Sequence, residues 1–122
     1  MKRYIDVKIV NFEGNEVEYS MSLGTREIIF FEREFKSMSG DNNATLFNSL
    51  HLLEQGDLTF IIALVCSTLH EKNNGVINPQ PIGFDKFDAE YNLFSNIDAI
   101  MKGLEVVMQD LQIKNRGSNK GK

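Results

Sequence analysis

From Leu58 to Leu69 the chain reads Leu58, Phe60, Ile61, Ile62, Ala63, Leu64, Val65, Cys66 and Leu69, apolar on almost every side if it is coiled into a helix. A helix with no polar face belongs in the middle of a domain, so the rest of the chain must supply the layers that cover it. Its β-branched residues also suit a buried strand. Asp57 in N-cap position and the length of the segment favour helix. The uninterrupted apolar run, Phe60 to Cys66, falls well short of the roughly 20 residues that cross a bilayer.

A chain of 122 residues suits one domain, burying roughly two thirds of its unfolded surface. With 42% hydrophobic and 25% charged residues it has the apolar content to fold, unlike a disordered chain. The expectation is a single α+β domain over residues 1–113 and a flexible basic tail over 114–122. Met1-Lys2-Arg3-Tyr4-Ile5-Asp6 has a basic pair but then alternates, without the apolar stretch of a secretory signal, so a cytoplasmic protein is expected. The lone Cys66 excludes an intrachain disulfide and suits a reducing compartment. Asn43-Ala44-Thr45 fits the glycosylation pattern but has no consequence without export.

Of 13 basic side chains, four (Lys114, Arg116, Lys120 and Lys122) sit in the last nine residues, leaving 9 basic against 17 acidic, a net −8, in residues 1–113. Such a body repels nucleic-acid phosphates, and no nucleic-acid or membrane partner is expected. The tail reads as a solubilising end or a docking segment for an acidic partner.

Arg3 to Phe12 is rich in β-formers, Glu13-Gly14-Asn15 supplies a turn, and Glu16 to Leu23 alternates Val17, Tyr19, Met21 and Leu23 against Glu18, Ser20 and Ser22. These imply a hairpin with one buried face, which helices must cover. From Thr25 the period changes. Ile28, Phe31, Phe35 and Met38 form a helical stripe, with Arg26, Glu27, Arg33, Glu34 and Lys36 on the solvent side, ending at Ser39-Gly40. A short helix with Leu46, Phe47, Leu50 and Leu53 follows, capped by Asp41-Asn42-Asn43 and closed by Gln55-Gly56. Lys72 to Gly83, with both prolines, reads as a loop. Phe84 to Ile113 is the longest periodic segment, expected as one long helix or as two broken near Asn92 or Gly103. Within it Phe87, Phe94, Ile97, Met101, Leu104, Met108 and Leu111 fit a heptad. The fold class is thus α+β, mainly α: an N-terminal β-hairpin, then a small helical bundle with a long C-terminal helix.

Residues for chemistry are few. His51, His70 and Cys66 are not grouped as metal ligands. His70 follows Cys66 by one helical turn, but the simpler placement is Cys66 in the core and His70 at a helix end. Asp85, Asp88 and Glu90 lack the spacing of a calcium loop and suit the first turn of a helix. No phosphate-cradling glycine pattern occurs. Neither an enzyme nor a cofactor or metal site is expected. The heptad seam is more informative, because it lets a helix pair with another helix; Ile100, Val107 and Ile113 widen the stripe so that one face can serve the core and another a partner. On that seam Phe94, Met101, Leu104 and Met108 are the candidate partner-binding residues, ahead of Phe31 and Phe35. Met21, Met38, Met101 and Met108 add adaptable side chains.

Gly24-Thr25-Arg26-Glu27-Ile28-Ile29-Phe30-Phe31-Glu32-Arg33-Glu34-Phe35-Lys36-Ser37-Met38 after a hairpin, then Leu52-Leu53-Glu54-Gln55-Gly56-Asp57-Leu58 before the apolar helix Phe60 to His70, resembles the tail assembly chaperones of long-tailed bacteriophages and prophages of Gram-positive hosts. The likeness covers residues 3–70, with the small residue, the aromatic-acidic pair Phe31-Glu32 and the serine near the helix end as its marks. It implies a non-enzymatic chaperone that coats the helical tape-measure protein and keeps it soluble until tail-tube subunits polymerise around it. Self-association fits that role, and the family often has a longer, frameshifted form. The alternative is a small dimeric adaptor or regulator of a prophage or bacterium, pairing through its last helix.

Overall fold

The computed structural model describes residues 2–119, with side chains as far as Gln109. It is a small α+β fold in which a four-stranded antiparallel sheet, in the order β1-β2-β3-β4, is combined with helices. Strand β1 (Ile5–Val10) pairs with β2 (Glu16–Met21) from Ile5 opposite Met21 to Val10 opposite Glu16. The turn between them is held by Asn11, whose Oδ1 accepts the backbone N–H groups of Glu13 and Asn15 at 3.0 and 2.9 Å. Helix α1 (Thr25–Ser39) ends where expected, because Gly40 takes the left-handed conformation, φ 76°, and its N–H reaches back to the Lys36 carbonyl.

Two single helical turns follow, α2 (Leu46–Ser49) and α3 (His51–Glu54), meeting at Leu50, where one short helix was expected. Asp57 caps α4 (Leu58–Thr68), its Oδ1 accepting from Phe60 N at 2.9 Å. From Ala63 onward every residue of α4 is buried, as a helix without a polar face requires, whereas Leu58 in its first turn reaches the surface. α4 packs on α1 through a three-ring cluster of Phe31, Phe35 and Phe60, with centroids 5.3 to 5.6 Å apart.

Alternation along the strands puts Val7, Ile9, Tyr19, Met21 and Leu69 on one face of the sheet. α6 (Ile97–Asn119) lies against that face at Gly103, where an added Cβ would sit 2.6 Å from Met21 Sδ and 3.0 Å from Val7 Cγ2. Gly103 is therefore the point of closest approach and not a break. The opposite face is polar: Lys72 Nζ bridges Asp6 at 3.1 Å and Glu18 at 3.0 Å across three strands.

Three expectations are corrected. The hairpin is half of a larger sheet, since the supposed loop after Lys72 contains the end of β3 (Leu69–Asn73) and all of β4 (Val76–Ile77). The apolar helix stops at Thr68, and His70 lies in β3 opposite Ser20, not at a helix end, because pairing with β2 takes over the backbone there. Glu27 does not face solvent but is fully buried, drawn inward by three donors described below. Of the alternatives for the segment after Phe84, the structure has the break near Asn92, which gives α5 (Phe84–Glu90), a 3-10 turn (Phe94–Asn96) and α6. Among the described residues no single helix is long and apolar enough to cross a membrane.

Candidate functional site

The break before α6 decides where the seam residues end up. Asn92 Oδ1 accepts the N–H groups of Phe94 and Ser95 at 2.9 and 3.2 Å, which starts a new turn. Asn96 then clamps β1: its Oδ1 accepts Val10 N at 2.7 Å and its Nδ2 donates to Val10 O at 3.0 Å, as a neighbouring strand would. Phe87 and Phe94 consequently leave the heptad line, which continues in α6 alone.

Of the four candidate residues, Met101, Leu104 and Met108 line one groove together with Leu53 and Ile97. Phe94 is on the 3-10 turn, 69% exposed, and faces a different depression. The groove holds about 630 Å³, and Asp98, Lys102, Glu105 and Gln109 form its polar rim. Between Ile97 and Met108 it follows α6 for roughly 16 Å at 1.5 Å per residue, about three helical turns. Leu104 and Met108 are 2% and 8% exposed, so they floor the groove while holding the core; Met101 is half-buried and keeps a free side. The side chains of Leu111 and Ile113, and those of the basic tail, lie outside the described residues.

The residues considered for chemistry are otherwise occupied. Cys66 is buried, and burial pushes its thiol up, with Glu34 and Asp88 adding to the effect, so a nucleophilic thiolate is disfavoured. His70 does not meet it. Its Nδ1 lies 2.8 Å from the Asn78 carbonyl and its Nε2 2.8 Å from Glu27 Oε2. Both ring nitrogens face oxygen atoms. Burial by itself opposes the charge on Glu27, but His70, Lys2 Nζ at 2.5 Å and Gly24 N at 2.7 Å hold its carboxyl down at about 2. Tyr4 stands edge-on to the His70 ring. This closed ionic cluster ties the N-terminal segment, the start of α1 and β3 together, with no exposed carboxylate or imidazole at its centre.

Sequence reasoning missed this cluster. The available signal was Glu27 three residues after Gly24, the spacing at which a carboxylate turns back to a helix N-cap. Asp85, Asp88 and Glu90 are exposed around α5, and among the described residues no three His, Cys, Asp or Glu side chains group to hold a metal ion.

No family model, curated protein or solved structure matches this chain.

Proposed function

We propose that this chain is a non-enzymatic tail assembly chaperone of a long-tailed phage or prophage, binding the tape-measure protein and keeping it soluble in the host cytoplasm while tail-tube subunits assemble around it. The observation that carries the reading is the groove along α6: an apolar floor of Ile97, Met101, Leu104 and Met108 under a polar rim. Its length suits a few turns of a partner helix whose apolar stripe needs cover from water. Two methionines give the floor the adaptability that successive, non-identical segments of a long partner demand. The excess of acid in residues 1–113 keeps such a coat soluble. The resemblance over residues 3–70 supplies the partner's identity; the groove supplies the mode of binding. Copies arrayed along one long partner meet side by side, so self-association belongs to the same reading.

The test is co-expression with the tape-measure protein encoded nearest to this chain, with the mass of the purified complex measured by light scattering. A soluble complex carrying many copies of this chain per tape measure is expected. An insoluble tape measure beside a free monomer or dimer would overturn the proposal in favour of the dimeric adaptor.

A further inference from the structure

A second apolar depression lies where the end of β1, the first turn of α4, α5 and the 3-10 turn meet. Its walls are Phe12, Leu58 and Phe94, which are 63%, 51% and 69% exposed, and its floor includes Phe87, Tyr91 and Leu93. Three large apolar side chains standing around one hollow are not scattered surface residues, and a cluster of this kind marks an interaction site. They are also held in place. Phe12 N donates to Glu90 O at 2.9 Å, Asn92 caps the turn that carries Phe94, and Asn96 clamps Val10 beside it.

Size and charge specify the occupant. At about 260 Å³ the hollow lies below the roughly 300 Å³ at which small-molecule sites begin, but it takes a bulky side chain of a protein. Among the described residues Asp88 is the one charged residue lining it. The acidic Glu13, Asp57 and Glu90 directly adjoin the lining residues Phe12, Leu58 and Tyr91 in sequence. Among the described residues no lysine or arginine lines it, and Lys86, the cation nearest in sequence to the α5 part of the lining, is engaged with Glu71 at 2.7 Å. A second copy placed symmetrically would bring Asp88 against its own counterpart, which opposes a symmetric dimer through this face. We propose that the Phe12, Leu58 and Phe94 hollow is a second docking site, separate from the α6 groove, for a cationic protein segment that inserts an aromatic or branched aliphatic anchor flanked by lysine or arginine.

This site goes beyond the tape-measure reading and can fail without it. The probe is a short, fluorescently labelled peptide with one phenylalanine anchor among leucines and lysines, titrated into the full chain at low and high salt, beside a matched peptide with glutamate for lysine. The lysine peptide should bind and weaken as salt rises, while the glutamate peptide should not bind. The double substitution Phe12→Ser with Phe94→Ser should weaken binding about tenfold or more, and Asp88→Asn should weaken it less and flatten the salt dependence. Phe94→Ser alone keeps the test decisive if the double variant is unstable. Met101→Lys, in the other groove, should leave this binding unchanged. Equal binding of both peptides, no loss in the phenylalanine variants, loss in Met101→Lys, or a dimer that these phenylalanine substitutions dissolve would each overturn the proposal.

Discussion

The two apolar depressions are built from opposite materials. The α6 groove is floored by Leu104 and Met108, nearly sealed from solvent and part of the core, with Met101 and Ile97 half-buried beside them. The hollow beside α5 is walled by Phe12, Leu58 and Phe94, all more than half exposed. A surface continuous with the core inherits the core's rigidity but cannot be altered without altering the fold. A surface of protruding side chains can be changed at small thermodynamic cost. Their rims differ too: acidic and basic residues mix around the groove, whereas the charge lining the hollow is acidic.

The largest effect should come from a substitution that disturbs the support of both regions. Glu27→Gln removes the buried charge that Lys2, Gly24 N and His70 surround, and urea unfolding should show a loss of roughly 3 to 5 kcal/mol. The same carboxylate sets an acid limit. Its folded pKa of about 2 lies below its ordinary value, so its stabilisation is present above about pH 4.5 and is lost as pH falls toward 2. Circular dichroism in acid should show the wild type losing stability across that window and Glu27→Gln losing little more there.

Next is Leu104→Ala, which should cost about 2 to 5 kcal/mol by denaturant unfolding, degrading groove and fold together. Gly103→Ala sets a helix-propensity gain of roughly 1 kcal/mol against crowding of the stiff Val7 and the buried Met21, for a net loss of about 1 to 2 kcal/mol in thermal unfolding. A stabilised Gly103→Ala variant would mean that α6 is free to lift from the sheet. The smallest stability effect belongs to Phe94→Ser, within about 0.5 kcal/mol of wild type in the same assay. A large destabilisation there would erase the contrast between the two surfaces.

What the chain discloses in advance follows the range of the interactions involved. Helix α1 is readable because its stripe and the glycine that ends it are local, and so is the cap at Asp57. β3 is not, because Leu69 and His70 continue an apolar helical run and become a strand only through pairing with Met21 and Ser20, about fifty positions earlier. Burial of Glu27 escapes for the same reason: on a helical wheel it sits among charges, and its partners Lys2 and His70 come from distant parts of the chain. The break at Asn92 is foreseeable from an asparagine at that place, but the clamp of Asn96 on Val10, which fixes where α6 starts, spans 86 positions. Of the seam, Met101, Leu104 and Met108 can be found together by periodicity; which of them keeps a free side depends on what packs around α6, and periodicity says nothing of that.

The claim that α6 carries the binding groove is tested most directly at Met101. Met101→Lys places a cation between Asp98 and Glu105, three residues before and four after it, so the helix keeps favourable neighbours while the groove floor gains a charge. A helical segment of the tape-measure protein would be titrated by calorimetry into wild type and variant. Binding to the wild type with a negative heat-capacity change, and at least about tenfold weaker binding to a variant with an unchanged melting temperature, is the expected result. Equal affinity for the two folded proteins would contradict the groove as the binding site.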